Sequence, residues 1–280
     1  MSDDDHVYLS LAEGHDDSDA RWAFGTGFED PLYGVSSAVP DGVDRAELAA
    51  SCLALADDAL VAAQRLAEWT TRAPELEEEV ALANIGLDLL GQARLLYSRC
   101  GQVDGTERGE DAYAYFRDAD EFRSVRLVEL PNGDFAFSMA RLLVFSTWRL
   151  AHFEYLAASA VDPVLAAVAA KGVKELTYHR QYAAEWVVRL GDGTDESHRR
   201  MQAGLDQVFP FLAELFAAYD AEAETLSVLR QVAAAGQLSL PEVPPHPTGD
   251  GRSGGHHTEY LAPLLAELQS VARAHPEGAW

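Results

Sequence analysis

"LANIGLDLLGQARLLY", Leu82 to Tyr97, decides how this chain folds. Asn84, Asp88 and Gln92 fall at i, i+4 and i+8, so one polar stripe runs up a helix. The remaining faces are apolar at Ile85, Leu87, Leu89, Leu90 and Leu95. A helix apolar on more than one face is buried, here against other helices or another chain. Just upstream, Glu75, Glu77, Glu78 and Glu79 suit the positive end of a helix dipole. Gly101 is the expected stop, giving a helix over about 75–100.

The same signals recur along the chain. A first helix is predicted over 44–71, ending before Ala73-Pro74. Asn132-Gly133-Asp134 introduces a helix over 135–160. Asp162-Pro163 is an N-cap followed by proline at the first helical position, opening a helix that runs to Gly191. Thr194 caps a fifth helix over 195–218, with Pro210 as a kink. A sixth covers 222–236. Residues 239–255 read as a Pro/Gly loop, and Thr258 caps a last amphipathic helix over 259–275. No strand pattern competes. The first four helices make two long hairpins, so the expected fold is all-α: a ferritin-like four-helix bundle with extra C-terminal helices. Residues 1–42 read as an acidic irregular N-terminal arm docking through Trp22, Phe24, Phe28 and Tyr33. Residues 43–280 form the helical domain.

Composition bounds the partners. The 280 residues carry a formal net charge of −25, which repels nucleic acid and anionic membranes. Such a surface suits a halophilic setting, because molar salt shortens the Debye length to about 3 Å. The acidic start, with neither a basic segment nor an apolar core, is not a secretory signal, and no apolar run reaches membrane length. The expected location is cytoplasmic. Cys52 and Cys100 have neither redox nor zinc spacing and read as small buried hydrophobes.

Hairpin geometry sets which residues share a level. Asp57 is expected near Leu89 and Gln92, and Ser146 near Glu175 and His179. A two-iron site in this architecture takes a Glu from each of two helices and Glu-x-x-His from the other two. Here the key positions hold Leu89, Gln92 and Ser146, while Glu175 and His179 are four apart rather than three. Hard carboxylates and imidazoles are too few for a di-iron centre. Asp57, Asn84, Asp88, Gln92, Ser146, Glu175 and His179 therefore read as a vestigial polar network at mid-bundle. It is paired through His179 and Arg65, with no metal and no catalytic residue. His152 and Glu154 read as solvated or helix-local, and His256-His257 as a loop pair without a metal role.

With these residues in view, a family resemblance can be stated. The stretches "LADDALVAAQRLAEW", "APELEEEVALANIGLDLLGQARLLY", "LVELPNGDFAFSMAR", "KELTYHRQYAAEWVVRLGDGTDES" and "HTEYLAPLLAELQSV" resemble, in order, the C subunit of multicomponent phenylacetyl-CoA oxygenases, the ring 1,2-epoxidases of aerobic phenylacetate catabolism. The resemblance implies a metal-free structural subunit without activity of its own. It further implies a homologous di-iron catalytic subunit as partner, other subunits of the complex, and a reductase subunit with FAD and iron–sulfur that uses NADPH. An autonomous ferritin-like metalloenzyme with an atypical site around Asp57, Asp88, Glu175 and His179 is the alternative.

Overall fold

A computed structural model describes residues 31–253 and 256–278. Among them there is helix and loop and no strand. The two long hairpins are α1 (Arg45–Ala67) with α2 (Leu76–Val103), and α5 (Phe135–Ser159) with α6 (Pro163–Gly191). Between the hairpins lie α3 (Glu110–Tyr115) and α4 (Arg126–Glu129). After them come α7 (Asp195–Val208), α8 (Leu212–Ala218), α9 (Glu222–Ala235), α10 (Leu261–Leu268) and α11 (Ser270–Ala274). Helix α1 packs along α2, α5 along α6, and α2 against α6. Helices α7 and α9 cover α5 and α6 from outside. This is the all-α, ferritin-like arrangement.

Local chemistry explains the boundaries. Asp44 caps α1 by accepting from Ala46 and Glu47. Asp134 caps α5 through the amide of Phe137, and Asp162 caps α6 through that of Leu165. Helix α5 is buried without a break from Ala136 to Leu150, which is why its sequence is apolar on every face. No helix among the described residues is long and apolar enough to cross a membrane.

Four boundaries depart from expectation. Helix α1 ends at Ala67, and the chain turns through 68–75 with Thr71 at φ 66°. Helix α2 runs through Gly101 to Val103 and stops at Asp104. Gly101 is there for packing, because a Cβ on it would collide with the carbonyl oxygen of Arg108. Pro210 breaks its helix into α7, a 3-10 turn and α8. The last helix is two pieces, α10 and α11, and Thr258 is not its cap: its hydroxyl donates to Glu129. Of the arm's aromatics, Trp22, Phe24 and Phe28 lie outside the described residues. Tyr33 does not dock; it is 87% exposed, and the partly buried Leu32, Val35 and Val39 make the contact instead.

Candidate functional site at the bundle waist

The four long helices each place one polar side chain at the waist of the bundle: Asp58 from α1, Gln92 from α2, Arg149 from α5 and Glu175 from α6. Arg149 is 1% exposed. Its Nε donates to Gln92 Oε1 at 3.1 Å, and its Nη2 to the Leu55 carbonyl at 3.1 Å. Its Nη1 stands 3.8 Å from Asp58 Oδ2 and has no hydrogen-bond partner. The guanidinium carbon sits 4.4 Å from the centre of the Phe153 ring. The Gln92 amide passes the connection on, donating from Nε2 to Glu175 Oε2 at 2.9 Å. Glu175 also takes Lys171. Burial pushes the Arg149 pKa down to about 10, with Asp58 opposing, so the group is still a cation at neutral pH.

Other expected members lie elsewhere. One turn away, His179 Nε2 meets Asp88 Oδ2 at 3.0 Å; the histidine is fully buried and its Nδ1 has no partner. Asp57 does not join the waist. Neighbouring helical residues point about 100° apart, so Asp58 faces inward while Asp57 turns toward the connection between the hairpins. There it accepts from Arg117 Nη2 and Tyr97 Oη, each at 2.5 Å, and from the Arg123 amide at 2.7 Å. Ser146 is buried but satisfies itself, donating to the Leu142 carbonyl at 2.6 Å. Asn84 is exposed. Arg65 pairs with Glu68 and the Glu129 carbonyl, not with a waist carboxylate. His152 is half-buried. Its ring stacks on Tyr219 at 3.5 Å between centroids, and burial lowers its pKa to about 3.

A C-terminal strap, described over 249–253 and 256–258, closes the side of the bundle. Arg252 reaches through to Asp58, Nη2 to Oδ2 at 2.7 Å and Nη1 to Oδ1 at 3.1 Å. Glu214 accepts from the Gly251 amide at 2.9 Å. Glu129, fully buried on α4, accepts from the Thr258 amide at 2.6 Å and meets His257 Nδ1 at 2.6 Å. His257 is thus a clasp on Glu129.

Residues 36–280 match the family described as phenylacetic acid catabolic protein. This chain belongs to that family. It is 42% identical over 254 residues to the C subunit of the 1,2-phenylacetyl-CoA epoxidase of Escherichia coli strain K12, covering 84% of this chain and 99% of that protein.

Within the family fold, the waist of this member does not fit a pair of irons. Iron of this kind is held by carboxylates and neutral imidazoles facing one another. Here two carboxylates face a fixed guanidinium, the amide between them is engaged at both ends, and Asp58 is already taken by Arg252. Among the described residues no three His, Cys, Asp or Glu side chains stand grouped around one point. The waist can hold charge and register.

Arg149 and Arg252 escaped the sequence reading, although Arg149 left one signal. An arginine in a helix apolar on every face has no route to solvent and must find its partners inside.

Proposed function

We propose that this chain is a non-catalytic subunit of a phenylacetyl-CoA epoxidase in phenylacetate catabolism. It supports a homologous subunit that holds the di-iron centre, while a reductase subunit with FAD and iron–sulfur delivers electrons from NADPH. The observation that carries this reading is Arg149 at the waist, a cation where a catalytic member of this architecture needs open metal coordination. The similarity to an epoxidase C subunit supports the choice of complex. A surface for a partner is available on α2, where Leu76, Val80 and Leu87 stand exposed at i, i+4 and i+11.

The test is reconstitution. The chain alone is expected to leave phenylacetyl-CoA unchanged in the presence of reductase, NADPH and O2. The di-iron subunit is expected to turn over fully only when the chain is added. Turnover by this chain alone, or equal turnover without it, overturns the reading.

A second reading, an autonomous enzyme built on Asp88 and His179, draws on the unpartnered Nδ1 of His179. His179→Ala separates the two: it would abolish activity of the chain alone, whereas in a supporting subunit it weakens the fold.

A further inference from the structure

An amide suits the gap between a guanidinium and a carboxylate. The oxygen of Gln92 accepts from Arg149 and its nitrogen donates to Glu175. A glutamate at 92 would accept from Arg149 yet face Glu175 with like charge. A leucine would leave both partners unmet. The residue at 92 is therefore matched to a protein cation on one side and a carboxylate on the other.

The charges agree with this. Asp58 and Glu175 each bring a buried or nearly buried carboxylate to the bundle interior. Arg149 lies between them, in direct contact with α1 and α2 and joined to α6 through Gln92. The Phe153 and Phe145 rings flank the guanidinium, so water cannot replace it without loss of packing. The small residue at Gly172 is part of the same fit, since a Cβ there would lie 2.5 Å from Phe153 Cδ1.

The geometry points to Arg149 as a resident cation that takes over the structural role of a metal ion at the waist. It neutralises inward carboxylates and locks the four long helices in one register, with Gln92 as its bridge. A divalent ion would be repelled by the fixed positive charge and would find Asp58 and Glu175 already paired. This inference deepens the supporting-subunit reading and rests on it for the absence of a resident metal.

The experiment is a thermal double-mutant cycle on the full chain: wild type, Arg149→Met, Gln92→Leu and the double variant. A parallel titration uses Co2+ alone. Each single change is expected to lower Tm by about 5 °C or more. The double variant is expected to lose clearly less than the sum, because both changes break one network. Equimolar Co2+ is expected to leave the wild-type Tm and visible spectrum unchanged. Should Arg149→Met not fold, Arg149→Lys replaces it in the cycle. It keeps the charge and loses the planar fork, and an intermediate loss with the same coupling is expected.

Strictly additive losses, an unchanged Tm in Arg149→Met, or a one-to-one Co2+ band that raises the wild-type Tm overturns the inference. None of these outcomes measures turnover. A failed reconstitution with the coupling intact overturns only the supporting-subunit reading.

Discussion

Asp57 and Arg117, sixty positions apart, form a buried ion pair at 2.5 Å that fastens the connection between the hairpins to α1. The carboxylate is fully buried and the guanidinium 5% exposed. Burial works to lower the Arg117 pKa, but the Asp57 carboxylate outweighs it and holds it above the ordinary arginine value. The guanidinium also covers the Phe122 ring, 4.2 Å from its centre.

Removing one partner of such a pair strands the other. Arg117→Met leaves Asp57 with Tyr97 and one amide and no counter-charge. The expected cost is about 3–5 kcal/mol. Thermal unfolding should move down by about 10 °C. Asp57→Asn alone, which keeps an acceptor and removes the charge, should cost a similar amount, since Arg117 then becomes the stranded ion. If Arg117→Met unfolds within a degree of wild type, the pair is not what anchors this connection.

The strap predicts a pH response. Burial raises the Glu214 pKa from its ordinary 4.5 to about 7. The folded state thus favours the protonated acid. Its contribution is complete below about pH 4.5 and is lost as pH rises through about 7, a span of about 3 kcal/mol. His257 acts in the same direction. Burial opposes protonation, but Glu129 outweighs it and raises the pKa above the ordinary value, so that contribution also fades as pH rises. Glu214→Gln removes the first of these. Its stability relative to wild type, read by denaturant unfolding at pH 5 and pH 8, should improve at the higher pH. A difference that stays constant between the two conditions refutes this.

Two glycines of α2 should respond oppositely to alanine. At Gly101 a Cβ runs into the Arg108 backbone, so Gly101→Ala should cost about 1–3 kcal/mol through forced backbone movement. At Gly91 nothing lies within 4 Å of the added atom. Gly91→Ala should stabilise by about 0.5–1 kcal/mol, because glycine is the more costly residue to order in a helix. Urea midpoints of the two variants check both signs at once.

A net charge of −25 makes the fold depend on ionic strength. Raising KCl from 0.1 to 1 M shortens the Debye length from about 10 to 3 Å and screens self-repulsion. Tm should climb over that range, most steeply at the low end. A flat or falling profile would sink a salt-adapted surface as the meaning of the charge.

The scaffold was legible because it rests on local rules. The caps Asp44, Asp134 and Asp162 and the apolar periodicity of α2 and α5 mark the long helices to within a few residues. Gly101 misled because a glycine at a helix end and a glycine at a close crossing look alike in sequence. The waist was legible in part. Hairpin arithmetic puts Asp57 level with Gln92, and Ser146 with Glu175, and the structure joins Gln92 to Glu175 across α2 and α6. It chose Asp57 where the structure places Asp58, because a shift of one residue turns a side chain by about 100°. Nor could it find Arg117 or Arg252, which sit on segments without periodicity, 60 and 194 residues from their partners on α1. Side chains that tie loops to helices carry no spacing rule.

The reach of Arg252 has a consequence for the order in which this protein is made. The counter-ion of Asp58, a residue of the first long helix, is supplied 194 residues later by Arg252. While the ribosome is still extending the polypeptide, both hairpins can form, yet the acid at their centre lacks one of its partners. Closure of the core waits for Arg252 to be made, and until then the nascent bundle depends on Arg149 and the Val125 amide to hold Asp58.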